Sequence, residues 1–320
     1  MKLVDFSIEQ LKEYNPISTM EDDFNEFWNN RINESKKQPL NIYKRLNEEF
    51  NYTSNVKVYD VEFDGFRNTR IKCIYVTPEI VKEGTPAVVM FHGYNYNSLK
   101  PTNTFKYTVQ GMPVLIMATR GQSVNSPDHN LYENGGAAGW LTKGIVNKDN
   151  YYYSYVYMDC FKAVETLVKL DDIDENKIIV GGSSQGGGLA LATAALNNRV
   201  KIVLSDIPFL CNFKRSVEVS DGNPYDEISQ YFKLQDPLHE TENEVYRVLS
   251  YVDCVNMATR IKCPTLLSVG LEDNVCPPSG AFAAYNNMTC IKDIKVYPNY
   301  AHGGFNQQEE EKLKFINKYI

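Results

Sequence analysis

The sequence predicts an α/β fold in which a mostly parallel central sheet is flanked by helices. Short, continuous apolar runs recur along the chain and end in loops, as expected of strands buried on both faces of a sheet. Helical stretches lie between these runs, and such alternation is typical of parallel α/β folds. At 320 residues, without repeats or a flexible linker, the chain is expected to form a single domain over residues 1–320.

The N-terminal part, roughly residues 1–50, is polar and is predicted to be a helical extension of that domain. Phe24, Phe27 and Trp28 recur at helical spacing, which predicts one face packed on the core. Beyond this extension, two strand-like segments flank a turn-rich stretch and predict a hairpin. These segments are residues 56–63 and 70–76.

From residue 86 onward the apolar runs predict the strands of the parallel sheet. They are residues 87–91, 114–118, 178–180, 202–204 and 265–269. A helix is predicted over residues 154–168, where apolar side chains form one stripe. Residues 211–260, roughly, are polar and aromatic with helical patches, and they predict a helical insertion within the domain.

Composition excludes several classes of function. The net charge of −7 and the lack of a Lys/Arg cluster argue against a nucleic-acid partner. No apolar run is long enough to span a membrane, and residues 1–9 lack the apolar core of a signal peptide. Seven cysteines without a C-x-x-C pair indicate reduced thiols, so a cytoplasmic location is expected. No cofactor or metal site is predicted.

The motif most informative about function lies at residues 182–186. Gly182-Ser183-Ser184-Gln185-Gly186 has the G-x-S-x-G spacing of a nucleophile elbow, between a predicted strand and a helix of small residues. A serine hydroxyl becomes a useful nucleophile when a strained strand-to-helix turn presents it to a base. Ser184 is therefore the candidate nucleophile. A glycine-rich turn that only packs a helix on the sheet is the alternative.

A serine nucleophile needs a histidine base, and the chain has four histidines. His92 and His129 precede Ser184, whereas in hydrolases with this elbow the base follows the serine and the acid. His302 follows the last strand-like segment, where a late loop would place a base. His302 is the favoured base, and His239, in the insertion, is the alternative.

The acid that orients the base has two main candidates. Asp273 follows the strand 265–269 and enters a turn that ends in two prolines, which would hold its carboxylate rigidly. Asp206 ends an earlier strand, and the strand order favours Asp273. Asp206 is expected to bond nearby backbone, and Cys276, which lies close to Asp273, is not expected to be a nucleophile.

Acyl transfer also requires donors for the oxyanion that develops during attack. The backbone N–H that follows the nucleophile belongs to Gln185. A second donor comes from the loop after an earlier strand, where His92-Gly93-Tyr94 is similar to the His-Gly signature of esterases. The N–H of Tyr94 is predicted to be this donor, with Gly93 allowing the chain to turn inward.

With these residues placed, the chain resembles carbohydrate esterase family seven, the acetyl xylan esterases and cephalosporin C deacetylases. The block Arg120-Gly121-Gln122 is the family's own mark and is more specific than the elbow. Further similar blocks span nearly the whole chain. They are residues 91–94, 144–145, 151–153, 184–187, 206–211, 270–278 and 281–286.

The resemblance implies an α/β-hydrolase fold and a serine esterase that removes acetyl groups from small esters, including acetylated xylo-oligosaccharides and cephalosporins. It assigns Ser184, Asp273 and His302 to the triad, and it gives Arg120 and Gln122 a supporting role at the surrounding loops. It also implies a homo-oligomer, a hexamer with active sites facing an internal cavity.

Two positions depart from the family pattern. Ser123 follows Arg120-Gly121-Gln122 where the family usually has glycine, and Gly303 and Gly304 follow His302 where the family has glutamate. Other readings stay open at this point: a carboxylesterase or peptidase on the same fold, or a catalytically impaired relative.

Overall fold

The computed structural model describes residues 4–50, 53–96, 99–122, 126–133, 139–222 and 224–320. Within these residues nine strands form one sheet in the order β1-β2-β3-β5-β4-β6-β7-β8-β9. The strands are β1 Tyr43–Leu46, β2 Val56–Asp64, β3 Arg70–Pro78, β4 Thr85–Phe91, β5 Val114–Met117, β6 Ile173–Ser183, β7 Val200–Asp206, β8 Thr265–Gly270 and β9 Lys292–Tyr297.

Within the described part of the chain, two helices precede β1, and the others lie between or after the strands. The helices are α1 Ile8–Glu13, α2 Phe24–Lys37, α3 Phe105–Thr108, α4 Tyr152–Leu167, α5 Gln185–Leu196, α6 Phe213–Val219, α7 Asp226–Gln235, α8 Glu242–Ser250, α9 Cys254–Ala258, α10 Pro278–Asn287 and α11 Gln308–Tyr319.

The sheet has a parallel part and an antiparallel part. β5, β4, β6, β7, β8 and β9 run parallel, whereas β1, β2 and β3 form an antiparallel meander that joins the edge of β5. The predicted hairpin is the β2–β3 pair, and each apolar run predicted from the sequence coincides with a strand of the parallel part, the run 114–118 extending one residue beyond β5. The predicted mostly parallel α/β fold is confirmed.

Helices cover both faces of the sheet. α4 and α5 contribute to the larger apolar cluster, which also includes Phe24, Phe27 and Trp28 of α2. The opposite face packs against α3 and α11 through residues that include Tyr107, Phe315 and Ile316. The carboxyl ends of the parallel strands are left free between these layers, which is where open α/β sheets place their ligand sites.

The predicted insertion is helical, whereas the predicted N-terminal extension contains a strand as well as helices. Residues 211–260 contain α6 to α9, and the Trp28 indole N–H donates to the Tyr251 carbonyl at 2.8 Å, which joins α2 to this region. The first fifty residues contain α1 and α2, but also the edge strand β1, which their sequence did not predict. β1 is mostly exposed and pairs through its backbone, so it carries no apolar alternation.

Candidate active site

Ser184 lies at the tight turn between β6 and α5. Its φ of +58° and ψ of −118° are conformations that a residue with a side chain rarely adopts, so the turn is strained at this residue. The strain is held by hydrogen bonds, since the Ser184 N–H donates to the Asp206 carbonyl at 2.9 Å and the Phe209 N–H donates to the Ser184 carbonyl at 3.0 Å. The structure therefore gives residues 182–186 the strand-to-helix geometry that their spacing predicts.

The flanking glycines allow this turn to pack against β4. A Cβ on Gly182 would lie 2.5 Å from the Phe91 carbonyl oxygen, and one on Gly186 would lie 2.1 Å from the same oxygen. Neither contact is tolerable, so only glycine fits at both positions.

His302 and Asp273 are hydrogen-bonded to each other at the carboxyl end of the sheet. His302 Nδ1 lies 2.8 Å from Asp273 Oδ2, and the aspartate side chain is 1% exposed. The other oxygen, Oδ1, accepts the N–H groups of Val275 and Cys276, each at 2.9 Å. Because both carboxylate oxygens are held, the Asp273 side chain is fixed in orientation, as the proline-terminated turn predicts.

Cys276 joins the acid loop to the nucleophile. Its Sγ lies 3.9 Å from Ser184 Oγ, while its N–H bonds Asp273, so Ser184 and the Asp273 turn are neighbours. Burial raises the pKa of the Cys276 thiol well above its ordinary value, which keeps the thiol protonated. Because the thiolate is the nucleophilic form, this burial disfavours a nucleophilic role for Cys276.

The other histidines are placed outside this arrangement. His92 Nε2 accepts the Thr119 N–H at 2.9 Å and Nδ1 lies 2.7 Å from the Gly93 carbonyl, which defines a neutral ring. Burial also lowers the pKa of His92. His239 is stacked on Phe232 with ring centroids 4.4 Å apart, at the exposed side of the insertion. His129 is exposed.

Asp206 faces α11. Its Oδ1 accepts Ser268 Oγ at 2.7 Å and Gln308 Nε2 at 2.8 Å, and its Oδ2 pairs with the Lys312 ammonium. The expectation that Asp206 bonds nearby backbone is wrong for its side chain, because the side-chain donors of β8 and α11 are closer. The Asp206 side chain instead holds α11 against the end of β7. The backbone carbonyl of the same residue accepts the Ser184 N–H.

Of the two predicted oxyanion donors, Gln185 belongs to the elbow and Tyr94 lies in the loop after β4. Gln185 is the first residue of α5, and the first N–H groups of a helix have no acceptor within the helix. Tyr94 follows β4 in the loop beside the elbow. A Cβ on Gly93 would lie 4.0 Å from the Ser183 carbonyl, an ordinary contact, so sterics do not require the glycine that the sequence argument invoked.

Gln122 connects the two donor segments. Its Oε1 accepts the Asn95 N–H at 3.2 Å and the Gln185 side-chain amide at 2.9 Å, and its Nε2 donates to Gln185 Oε1 at 2.7 Å. The hydroxyls of Tyr152 and Tyr153 extend this buried network, at 3.1 Å from Gln122 and 2.8 Å from Gln185. One amide thus bonds both the residue after Tyr94 and the residue after Ser184.

Arg120 is fully buried beneath the same network. Its Nε and Nη2 donate to the two carboxylate oxygens of Asp159 at 2.6 and 2.7 Å, and Nη2 also donates to the Phe66 carbonyl at 2.8 Å. Burial raises the pKa of Asp159 despite the arginine. The Arg120 carbonyl accepts the Tyr152 hydroxyl at 2.5 Å. Tyr152 also bonds Gln122, so it connects Arg120 to the Gln122 network. Ser123 lies outside the described residues.

Sequence reasoning missed a buried carboxylate, Glu227 of α7, which is 4% exposed. It accepts the Tyr94 hydroxyl on one oxygen and the Leu141 N–H on the other, the latter at 2.9 Å. A signal was present, since Glu227 shares the buried stripe of α7 with Ile228 and Tyr231. A charged residue on such a stripe indicates a partner inside the protein.

The segment after His302 takes an unusual backbone path. Gly303 and Gly304 have φ values of +103° and +74°, in the region that favours glycine. A glutamate at either position would be strained. A Cβ on Gly303 would meet only Ile207 Cδ1 at 3.5 Å, so space is available and the backbone alone requires glycine there.

A cavity of about 470 Å³ lies beside this segment, between the sheet and α11. Gly303 and Gly304 line it, but Ser184 and His302 do not. Its buried cation, Lys312, is paired with Asp206 and Glu309. The cavity therefore lies next to Ser184 and His302 in the chain without being lined by either.

Among the described residues, no cluster of His, Cys, Asp and Glu could hold a metal ion. The seven cysteines are all free thiols. None of the described helices combines the length and apolar character needed to cross a bilayer.

The strand order and the strained serine define an α/β-hydrolase fold, which hydrolases and peptidases of 15 to 20% identity share at TM-scores of 0.58 to 0.62. The acetyl xylan esterase family model matches residues 1–319. The chain belongs to this acetyl xylan esterase family, a family of carboxylic ester hydrolases.

Individual relatives agree over nearly the full length. An acetyl xylan esterase from Paenibacillus sp. R4 is 41% identical with a TM-score of 0.95, covering 98% of this chain and 100% of that one. Acetyl xylan esterase 1 from Thermoanaerobacterium sp. JW/SL YS485 is 36% identical with a TM-score of 0.93, covering 98% and 99%. An acetyl esterase from Xylanibacter ruminicola is 29% identical over 99% of this chain and 71% of its own.

Proposed function

We propose that this protein is a serine esterase that removes acetyl groups from small esters through a covalent acetyl-enzyme. The observation that carries the proposal is the His302–Asp273 hydrogen bond on a turn whose Cys276 touches Ser184 at the elbow. Family membership supports the deacetylase activity, and the geometry supports the assignment of roles.

His302 is the base in this proposal. Its Nδ1–H donates to the Asp273 carboxylate, so in the neutral ring Nε2 is the nitrogen that carries a lone pair. Nε2 takes the proton of Ser184 Oγ as the oxygen attacks the acetyl carbonyl. Asp273 holds the ring in this tautomer and stabilises the imidazolium that forms.

The oxyanion forms between the N–H groups of Tyr94 and Gln185. The protonated His302 then gives its proton to the departing alkoxide, the C–O bond breaks, and the alcohol leaves. Water attacks the acetyl-enzyme while His302 again accepts the proton, which releases acetate and restores Ser184. Removing one oxyanion donor from such a site costs about 100-fold to 1000-fold in rate.

The proposed substrates are acetylated xylo-oligosaccharides and cephalosporin C. The names of the relatives that match nearly all of this chain, which are acetyl xylan and acetyl esterases, favour acetyl over longer acyl groups. Acetate release from acetylated xylose, acetylated xylo-oligosaccharides and cephalosporin C, measured beside release of butyrate, tests this choice. Equal rates for acetate and butyrate would contradict it.

The Ser184→Ala variant tests the chemistry itself. We expect p-nitrophenyl acetate hydrolysis to fall by about 10⁴-fold or more, because the covalent route is lost. A fluorophosphonate probe should label the wild type and not the variant. Retained activity in the variant, or a wild type that neither reacts with the probe nor releases acetate, would overturn the proposal.

A further inference from the structure

Glu227 reaches from the insertion to the loop that carries the proposed oxyanion donor. It accepts the Tyr94 hydroxyl and the Leu141 N–H, and the Tyr94 hydroxyl in turn accepts the Trp140 N–H at 3.1 Å. The Tyr94 ring also packs edge-to-face on Trp140 and Phe209, with centroids 5.3 and 6.0 Å away. Three separate segments therefore meet at one carboxylate: the loop after β4, residues 139–141 and α7.

This carboxylate is held in an unfavourable place. Within the described residues, the groups that donate to Glu227 are a hydroxyl and a backbone N–H, both neutral, and no ion pair includes its carboxylate. Burial raises the pKa of Glu227 to about 7, which the two donated hydrogen bonds counteract only in part. An apolar side chain would pack here at lower cost.

The neighbouring backbone is shaped to admit the carboxylate. A Cβ on Gly139 would lie 2.1 Å from Glu227 Oε1, and Gly139 has a φ of +139°. Only glycine allows this approach, so the 139–141 segment and Glu227 fit as a pair.

We propose that Glu227 is a positioning residue that fixes the backbone N–H of Tyr94 as oxyanion donor and thereby couples the insertion to catalysis. The inference rests on the proposed function. The Tyr94 hydroxyl and its backbone N–H belong to one residue, so clamping the ring and the hydroxyl limits rotation of the peptide that carries the N–H. The Asn95 N–H, in the next peptide, is bonded by Gln122, so Tyr94 is held by its side chain and by the peptide that follows it.

The test compares Glu227→Gln with Tyr94→Phe in the full-length protein. The glutamine amide turns an NH₂ group toward one of two donors, so one hydrogen bond is lost with little change in volume. We expect kcat for p-nitrophenyl acetate, per fluorophosphonate-titrated site, to fall by about 10-fold to 100-fold while KM changes by less than about threefold. Glu240→Gln, an exposed carboxylate in the same insertion, is the matched control and should leave both constants unchanged.

Two further readouts separate positioning from general stabilisation. Trifluoroacetone, whose carbonyl forms a tetrahedral adduct with a serine, should bind more weakly in proportion to the loss of kcat. The Glu227→Gln/Tyr94→Phe double variant should be no slower than the slower single variant, because both break the same contact.

A kcat per titrated site within about twofold of the wild type, with only the melting temperature lowered, would overturn the inference. If Glu227→Gln does not fold, Tyr94→Phe decides the question by the same criterion. These outcomes are distinct from failure of the proposed function, in which the wild type itself releases no acetate or Ser184→Ala remains active.

Discussion

The two halves of the site are held in different ways. On the oxyanion side, Gln122, Gln185 and Tyr152 are buried and joined by several hydrogen bonds. On the base side, His302 is 27% exposed and its recorded side-chain hydrogen bond is with Asp273. The side chains that bond the proposed oxyanion loops are thus embedded in the core, whereas the proposed base, His302, lies on a loop and is held through its hydrogen bond with Asp273.

This comparison predicts that substitutions on the base side remove proton transfer, whereas substitutions on the oxyanion side displace the hydrogen-bond donors. On the base side one substitution removes the restraint entirely. On the oxyanion side each substitution removes only part of a network, so losses are smaller and stability falls with activity. The four predictions that follow run from the largest expected effect to the smallest.

Asp273→Asn should have the largest effect of the four. An asparagine can donate to Nδ1 and so stabilises the wrong tautomer of His302, and we expect kcat to fall by about 10⁴-fold with the fold retained. Asp206→Asn is the matched control, since Asp206 bonds α11: it should lower the melting temperature but change kcat per titrated site by less than about threefold. A larger loss of kcat in Asp206→Asn than in Asp273→Asn would make Asp206, and not Asp273, the acid that orients His302.

Gln122→Leu should weaken the oxyanion side. The substitution leaves the Asn95 N–H and the Gln185 amide without their partner, so we expect kcat to fall by about 10-fold to 100-fold and unfolding free energy by about 1–3 kcal/mol. Gln110→Leu, on an exposed glutamine, controls for the loss of an amide. Urea unfolding and steady-state kinetics check both values; unchanged kcat would show that the network is not needed to hold the donors.

Gly303→Ala should separate backbone strain from catalysis on the base side. Gly84 has a φ of +73° and open space around it, so Gly84→Ala carries similar strain away from the site. We expect both variants to lose about 1 kcal/mol of stability and only Gly303→Ala to lose activity, by about 10-fold, because His302 shifts. Equal activity in the two variants would mean that the glycine path does not set the pose of His302.

Glu227 should make stability depend on pH. Its pKa is raised from 4.5 to about 7 by burial, so the folded protein favours the protonated form. The stabilisation is fully present below pH 4.5 and is lost as the pH rises through about 7. Nearby Tyr94, Tyr151 and Tyr153 have raised pKa values and stay neutral there.

The measurement is the unfolding free energy of the wild type relative to Glu227→Gln. This difference should fall by about 1–3 kcal/mol between pH 4.5 and pH 7.5. A difference that is flat with pH, or that rises, would contradict a buried carboxylate with a raised pKa.

The sequence predicted those parts of the molecule that a local pattern encodes. Five strands of the parallel sheet, β4 to β8, are visible as apolar runs because both faces of their apolar segments are buried, whereas β9 is only half-buried. Ser184, Asp273 and His302 follow strand ends in a recognisable order. β1 was not predicted because this edge strand is mostly exposed and pairs through its backbone, so its sequence carries no apolar pattern. The prediction that Asp206 bonds nearby backbone was wrong, because its partners in β8 and α11 are distant in sequence and reach it only in the folded chain.

The supporting contacts could not be predicted from spacing. Asp159 meets Arg120 across 39 residues, and Glu227 meets Tyr94 across 133. Such pairs depend on how helices pack on the sheet, which no local period specifies. The charged residue on the buried stripe of α7 was nevertheless visible, and it marked a place where the chain would bury a carboxylate.

Identification of the acylated residue during turnover tests the central claim most directly. The wild type is quenched in acid while it hydrolyses p-nitrophenyl acetate, and its peptides are mapped by mass spectrometry. The account predicts one acetyl group, on Ser184, in the wild type and none in Ser184→Ala. An acetyl group on Cys276 or another residue instead of Ser184, in an enzyme that is turning over, would contradict it.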